Sequence, residues 1–266
     1  MNANADALIA RLRGGILEQC RYPVRAVLLM GSQAEGFANE ASDIDLIGIT
    51  DNRGRRLRTR EHPVECAGRP GSIIYVTEKS LRRRLASLDA LYQAGGHLTD
   101  GLVTRLADAR VVHDPEGIGA TLVSLAGEYR PSPETLREMV RISLGFLHDA
   151  LGSRGAGDHA TAVLMARAAA SVAVDCFLLD RNERNLKPKW HLRRLQRAGA
   201  NEIIEPYLRV LGLDRAEPDD ATRAVEEAQR LLCAVLRVPD LRNHAASGLF
   251  ADANGAARDR REEARP

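Results

Sequence analysis

The sequence predicts an α+β protein in which a small mixed β-sheet occupies the N-terminal part of the chain and a helical bundle follows it. Three observations lead there. Apolar runs rich in β-forming residues, punctuated by Gly and Pro, are confined to the first 115 or so residues. Beyond that point only helical periodicity remains. Strands followed by helices, rather than alternating with them, is the pattern of an α+β unit joined to an all-helical one. With 266 residues, 44% of them hydrophobic, the chain can build one or two cores without disulfide or metal staples.

The elements follow in order. Leu8, Ile9, Leu12, Ile16 and Leu17 recur at helical spacing, so residues 6–19 are expected to form an amphipathic helix with Asp6 as its N-cap. Val24 to Met30 is a buried strand that stops at Gly31-Ser32, and Asp43 to Thr50 is a second strand. Pro63 to Cys66 and Ser72 to Thr77 flank Gly68-Arg69-Pro70-Gly71, which marks a hairpin. Leu81, Leu85, Leu88 and Leu91 predict a helix from Glu78 to about His97, and Arg110 to His113 an edge strand. His113-Asp114-Pro115 reads as the turn closing the first domain. Ser132-Pro133 supplies an N-cap and first-turn proline for a helix whose apolar stripe runs from Leu136 to Leu151. Asp158 opens a helix to about Leu179 that is apolar on most sides, as at the centre of a bundle, and Pro218 starts another. The expected domains are 1–115, a helical domain over 116–251, and a frayed tail over 252–266.

Composition narrows the function. The 38 Lys and Arg against 36 Asp and Glu leave a formal charge of +2, too slight for a nucleic-acid footprint, and 4% aromatics offer few stacking platforms. No uncharged stretch approaches the roughly 18 apolar residues of a membrane span, and Asp6, Arg11 and Arg13 stand where a signal peptide would be apolar. A cytoplasmic protein with no membrane partner is expected. Cys20, Cys66, Cys176 and Cys233 are widely separated, which suits reduced core thiols. Only three of the 38 basic residues are lysines, namely Lys79, Lys187 and Lys189. The other 35 are arginines, so a lysine is the exception.

The chemistry-bearing segment is Gly31-Ser32 followed ten residues later by Ser42-Asp43-Ile44-Asp45-Leu46. On a strand, Asp43 and Asp45 share a face while Ile44 and Leu46 point into the core. Their carboxylates, roughly 6–7 Å apart along the backbone, repel unless a cation lies between them. Mg²⁺ takes one or two carboxylates and completes its octahedron with water and substrate phosphates. A Gly-Ser turn at a strand end offers backbone N–H groups to an anion, and the Ser32 hydroxyl adds a donor. Metal on one side and amide donors on the other point to phosphoryl transfer.

Leu29-Met30-Gly31-Ser32-Gln33-Ala34-Glu35-Gly36 with Ser42-Asp43-Ile44-Asp45-Leu46 resembles the signature of the DNA polymerase β-like nucleotidyltransferase superfamily. The pattern is most similar to the small-molecule nucleotidyltransferases that adenylylate aminoglycosides and lincosamides. The resemblance implies that Asp43 and Asp45 bind two Mg²⁺ ions and that Gly31 and Ser32 hold the β- and γ-phosphates of ATP. It also implies a third acid on a neighbouring strand, as metal ligand or as general base for the acceptor hydroxyl. Here the sequence departs from the family, because Ser72 stands where that acid is expected. Glu65 on the preceding strand is the substitute, against the alternative of an ordinary exposed strand glutamate.

A second cluster is Leu186-Lys187-Pro188-Lys189-Trp190-His191. A compact ammonium suits a phosphate, and in similar enzymes a basic residue of the helical domain reaches the triphosphate. Lys189, with Lys187 behind it, is the candidate, against a solvated pair beside a core-anchoring Trp190. His148, His159, His191 and His244 lack metal-ligand spacing. The arginine-rich loop 53–60 suits either anion steering or plain solvation. The expected activity is transfer of AMP from ATP to a small-molecule hydroxyl, with the acceptor contacted by residues of 78–100 and 136–180. The alternatives are a toxin-like enzyme that modifies tRNA or protein, and a non-catalytic nucleotide-binding relative.

Overall fold

The structure is a computed structural model that describes residues 3–40, 42–51, 61–66, 68–95, 101–212 and 218–236. The loop at 53–60 and the tail at 252–266 lie outside the described residues. The described chain divides into two compact units, one of residues 3–88 and 101–129, the other of 89–95 and 130–236.

The first unit opens with helix α1 (Ala3–Arg13), then α2 (Ile16–Gln19) after a break at Gly14-Gly15. Asp6 does not cap α1 but lies inside it and pairs with Arg110 at 2.9 Å. Strand β1 (Ala26–Met30) runs directly into the short helix α3 (Gly31–Glu35), and β2 (Ile44–Ile49) returns beside β1. The hairpin is β3 (Glu61–Cys66) with β4 (Arg69–Val76). Next come α4 (Glu78–Leu85), α5 (Leu88–Gln93), α6 (Gly101–Thr104), a 3₁₀ turn at Leu106–Asp108, β5 (Arg110–His113) and α7 (Ile118–Glu128). The single helix expected from Glu78 is thus interrupted between Leu85 and Leu88. The Thr77 hydroxyl caps α4 by accepting from the Ser80 N–H at 3.2 Å.

The five strands form one mixed sheet in the order β3-β4-β2-β1-β5, with β2 and β4 parallel and the other pairs antiparallel. All five β1 residues are buried, as in a central strand covered on both faces. One face packs Leu28, Met30, Ile47, Ile49 and Val76 against Leu81, Leu102, Leu106 and Leu122. The other packs Val27, Leu29, Ile44, Leu46, Ile73 and Tyr75 against Ile9, Leu12 and Ile16. The domain boundary expected near 115 moves to about 129, because α7 covers the first of these faces. Gly117 is the N-cap of α7, and Asp114, three residues before it, accepts from the Ala120 N–H of the first turn at 2.8 Å.

The second unit contains α8 (Pro133–Gly155), α9 (His159–Asp180), a 3₁₀ turn at Pro188–Trp190, α10 (His191–Arg197), α11 (Asn201–Leu211) and α12 (Pro218–Leu236). Ser132 caps α8 through the Thr135 N–H, and Asp158 caps α9 through the Thr161 N–H, at the positions their sequence predicts. Helix α9 is at the centre, packed by α8, α10, α11 and α12, with Ala162, Ala166, Ala169, Ala170 and Ala173 buried. By length and composition α9 would suffice to cross a membrane, but most of its apolar window is buried inside this unit. Helix α5 belongs here too. Its Asp89 carboxylate accepts from the Ser132 N–H at 3.1 Å and the Thr135 hydroxyl at 2.8 Å, and the Tyr92 hydroxyl donates to the Arg184 carbonyl at 2.7 Å. All four cysteines are free, and Cys233 is exposed rather than a core thiol.

At the start of β1, Arg25 pairs with Glu116 at 2.5 Å and Asp51 at 2.8 Å. The hydrogen bond from Arg25 holds the Glu116 carboxyl below its ordinary value. A carboxyl with a depressed folded-state value contributes stability above its unfolded-state value and loses it as pH falls through the folded one. Glu116→Gln should therefore flatten the fall in stability below about pH 4.5, read by urea unfolding across an acid series. An unchanged acid limb would remove Arg25–Glu116 as a contributor. Separately, Ser132→Ala should cost about 1 kcal/mol through loss of the α8 cap, measured as a lowered urea midpoint.

Candidate active site

The sheet register assembles the acidic motif. Met30, the last residue of β1, pairs with Asp45 of β2, so the residue after it, Gly31, begins its turn beside the Asp45 side chain. Asp45 is partly exposed, Asp43 is exposed, and the intervening Ile44 is fully buried, as period-2 alternation requires. Gly31 has φ +67°, and a Cβ placed on it would fall 2.3 Å from Asp45 Oδ2. The carboxylate therefore lies directly against the glycine, in space that any side chain would take.

The segment joining the two halves is held locally. Gly36 ends α3 in the left-handed region with φ 78°, and the N–H groups of Phe37 and Ala38 both donate to the Ser32 carbonyl. Asn39 and Ser42 close a further turn: the Ser42 hydroxyl accepts from the Asn39 N–H at 2.9 Å and donates to Asn39 Oδ1 at 3.0 Å. Gln33 Nε2 donates to the Ser42 carbonyl at 3.3 Å, which ties α3 to the residue preceding Asp43. From the far edge, Arg110 Nε donates to the Ala34 carbonyl at 3.1 Å. Gly31, Ser32, Asp43 and Asp45, separated by up to 14 positions, are thereby gathered at one end of the β1–β2 pair.

The third acid is not gathered with them. Ser72 on β4 is the register partner of Asp45, so the position beside Asp45 carries a hydroxyl. Glu65 pairs with Pro70 on β3, beyond β4. Alternation places it on the same sheet face as Ser72 and Asp45, but two strand spacings, about 10 Å, from β2. Its backbone is occupied by Gln19, which donates to the Glu65 carbonyl at 2.5 Å and accepts from its N–H at 2.9 Å. Among the described residues no three His, Cys, Asp or Glu side chains form a group able to hold a metal. Glu65 thus lies on the face of the acid pair but one strand beyond the neighbour of β2. The acid pair with water and phosphate still suits one Mg²⁺, and the Asp45 carboxylate against Gly31 puts a ligand oxygen at the turn.

Sequence reasoning missed Arg105. It is 8% exposed, its Nε donates to the Gly101 carbonyl at 2.8 Å, and its Nη1 donates to Asp45 Oδ2 at 3.2 Å. Nothing in the local sequence marks it, since it is one of 35 arginines and lies 60 residues from its partner.

Lys187 and Lys189 belong to the second unit. The stretch before them is pinned by Glu183, which accepts from Arg194 at 2.5 Å and pairs with Arg197. After them His191 is fully buried, with Nε2 2.8 Å from Asp175 Oδ1 and Nδ1 2.7 Å from the Tyr207 hydroxyl. Burial pushes the Tyr207 hydroxyl well up from its ordinary value. Trp190 is half-buried rather than a core anchor, with Lys189 Nζ 5.0 Å and Arg193 5.4 Å from its ring centroid. Lys189 itself is exposed.

No family model matches the chain, and no curated protein matches it. Among solved structures, the nucleotidyltransferase-like protein from Exiguobacterium sibiricum 255-15 is similar with a TM-score of 0.47 and 12% identity, over 89% of this chain and 77% of that one. At that level of likeness the site stands on its own geometry.

Gly31→Ala should destabilise the protein more than Gly68→Ala does. Both positions have positive φ, which costs a non-glycine residue about 1–3 kcal/mol, but a Cβ at Gly68 meets nothing within 4 Å. The excess at Gly31, read from urea unfolding of the two variants, measures the collision with Asp45. Equal losses would show that the Asp45 carboxylate swings aside from the added Cβ at little cost.

Proposed function

We propose that this chain is a Mg²⁺-dependent nucleotidyltransferase of the DNA polymerase β-like type, moving AMP from ATP to a hydroxyl of a small molecule. The observation that carries the reading is the Asp45 carboxylate lying against Gly31 of the Gly-Ser turn, with the exposed Asp43 just before the start of β2. In this reading the acceptor oxygen bonds to the α-phosphorus while the bond from that phosphorus to the bridging oxygen breaks. Pyrophosphate leaves with the bonding pair. Magnesium, when bound, would supply charge neutralisation to the reaction. Asp43 and Asp45 hold it, and the Gly31 and Ser32 backbone with the Ser32 hydroxyl orients the β- and γ-phosphates. Glu65, exposed on the same face, takes the acceptor proton rather than ligating metal. Lys189, with Lys187 behind it, is proposed on the resemblance alone as the basic residue for the phosphates. A small acceptor is favoured over nucleic acid by the formal charge of only +2, and the cytoplasm supplies the nucleotide and keeps the free thiols reduced.

Incubation with Mg-ATP and a panel of hydroxyl-bearing acceptors, aminoglycosides and lincosamides first, should release pyrophosphate. Asp43→Asn should lower the rate by at least about a hundredfold, and activity that survives this change would overturn the mechanism. Glu65→Gln should lower kcat while leaving Mn²⁺ affinity unaltered, and Lys189→Ala should raise the KM for ATP. One observation favours a second reading, a nucleotide-binding protein without turnover: Ser72 occupies the position beside Asp45. That reading is supported if Mg-ATP raises the Tm and no acceptor yields pyrophosphate.

A further inference from the structure

We propose that Arg105 is a built-in cation of the acid pair, supplying through its contact with Asp45 the positive charge that a second divalent ion would bring to a three-acid site, so that this site takes one divalent ion with its nucleotide. The inference rests on the reading above and deepens it.

Three features of the first unit carry it. Arg105 is nearly buried and aimed: its Nε is spent on the Gly101 carbonyl four residues back, which directs Nη1 at Asp45 Oδ2, 3.2 Å away. The same oxygen lies against Gly31 on another side, 2.3 Å from where a Cβ would stand. Oδ2 is therefore engaged by a fixed guanidinium at the mouth of the Gly-Ser turn. The third feature is the neighbouring strand, where the register partner of Asp45 is the uncharged Ser72 and no third acid joins the group among the described residues.

The formal charges then balance. Three carboxylates with two divalent ions sum to +1. Two carboxylates, one guanidinium and one divalent ion also sum to +1, so a triphosphate meets the same net charge in either arrangement. A second divalent ion in the present site would lack a third carboxylate and would be repelled by Arg105 at close range. A fixed cation on Asp45 also weakens the hold of the acid pair on a bare divalent ion. Tight metal binding is then deferred until the nucleotide contributes its phosphate oxygens. Arg105 acts through Asp45 and is a positioning residue.

The test is Mn²⁺ titration by electron paramagnetic resonance on the full chain, with and without a non-hydrolysable ATP analogue. Wild type should bind one Mn²⁺ per chain with the analogue and bind it weakly without. Arg105→Met should tighten nucleotide-free Mn²⁺ binding by roughly tenfold or more, and Arg105→Lys, which keeps the charge, should restore weak binding. Asp45→Asn should abolish Mn²⁺ binding in every background. Two Mn²⁺ per wild-type chain, or equal Mn²⁺ affinity in wild type and Arg105→Met, would overturn the inference while leaving the nucleotidyltransferase reading standing. Mn²⁺ binding that survives Asp45→Asn would overturn both. Should Arg105→Met fail to fold, Arg105→Gln and the wild-type stoichiometry decide in its place.

Discussion

The contact between the Asp45 carboxylate and the bare Cα of Gly31 is the constraint on which the candidate site depends. It follows from one register, Met30 opposite Asp45, in the antiparallel pair of two buried strands. A shift of one residue would turn Asp45 into the core and Ile44 out to solvent. The chain cannot make that shift, because Ile44, Leu46 and Ile47 are fully buried against both faces of the sheet. Apolar packing thus decides where a charged group stands. The loop between the strands has only to deliver the chain at the right height, and the left-handed Gly36 and the Asn39–Ser42 turn do so with local hydrogen bonds.

Holding a carboxylate at the edge of such a sheet has an electrostatic cost, since partial burial disfavours the ion unless a partner offsets it. Arg105 is one such partner. The helical unit meets the same demand differently. Asp175, His191 and Tyr207 form a buried polar group, and Glu183 engages Arg194 and Arg197. These pairs flank the Lys187 to Trp190 stretch on both sides, so the half-buried Lys187 and the exposed Lys189 lie on a stretch held at either end.

Much of the architecture was legible in the residues. The strands 26–30 and 44–49, the 61–76 hairpin and the edge strand at 110–113 were visible because apolar runs and Gly/Pro punctuation are local signals. The starts of α8 and α9 were visible because Ser132 and Asp158 are capping residues at helix boundaries. The segment from Gly101 to Glu128 was harder to read. Its helices are short or lack a clear polar face, and their burial is set by a sheet face formed from residues 26–49. The interruption between Leu85 and Leu88 has a related origin. The Leu spacing is helical throughout, but α4 packs with the sheet unit while α5 bonds to Ser132, Thr135 and Arg184.

What the sequence determined by itself is the chemistry on offer: a Gly-Ser turn at a strand end, two aspartates at alternate positions, a serine where a third acid was expected, and two rare lysines beside the only tryptophan. Those features depend on residue type and spacing, which the chain states outright. Tertiary structure decided which of them meet. It set Gly31 against Asp45, put Ser72 in register beside it, left Glu65 a strand beyond, and brought Arg105 across 60 residues to a carboxylate. Such meetings depend on strand pairing and on the packing of distant apolar faces. No local pattern in a chain with 35 arginines could have singled out the one that meets Asp45.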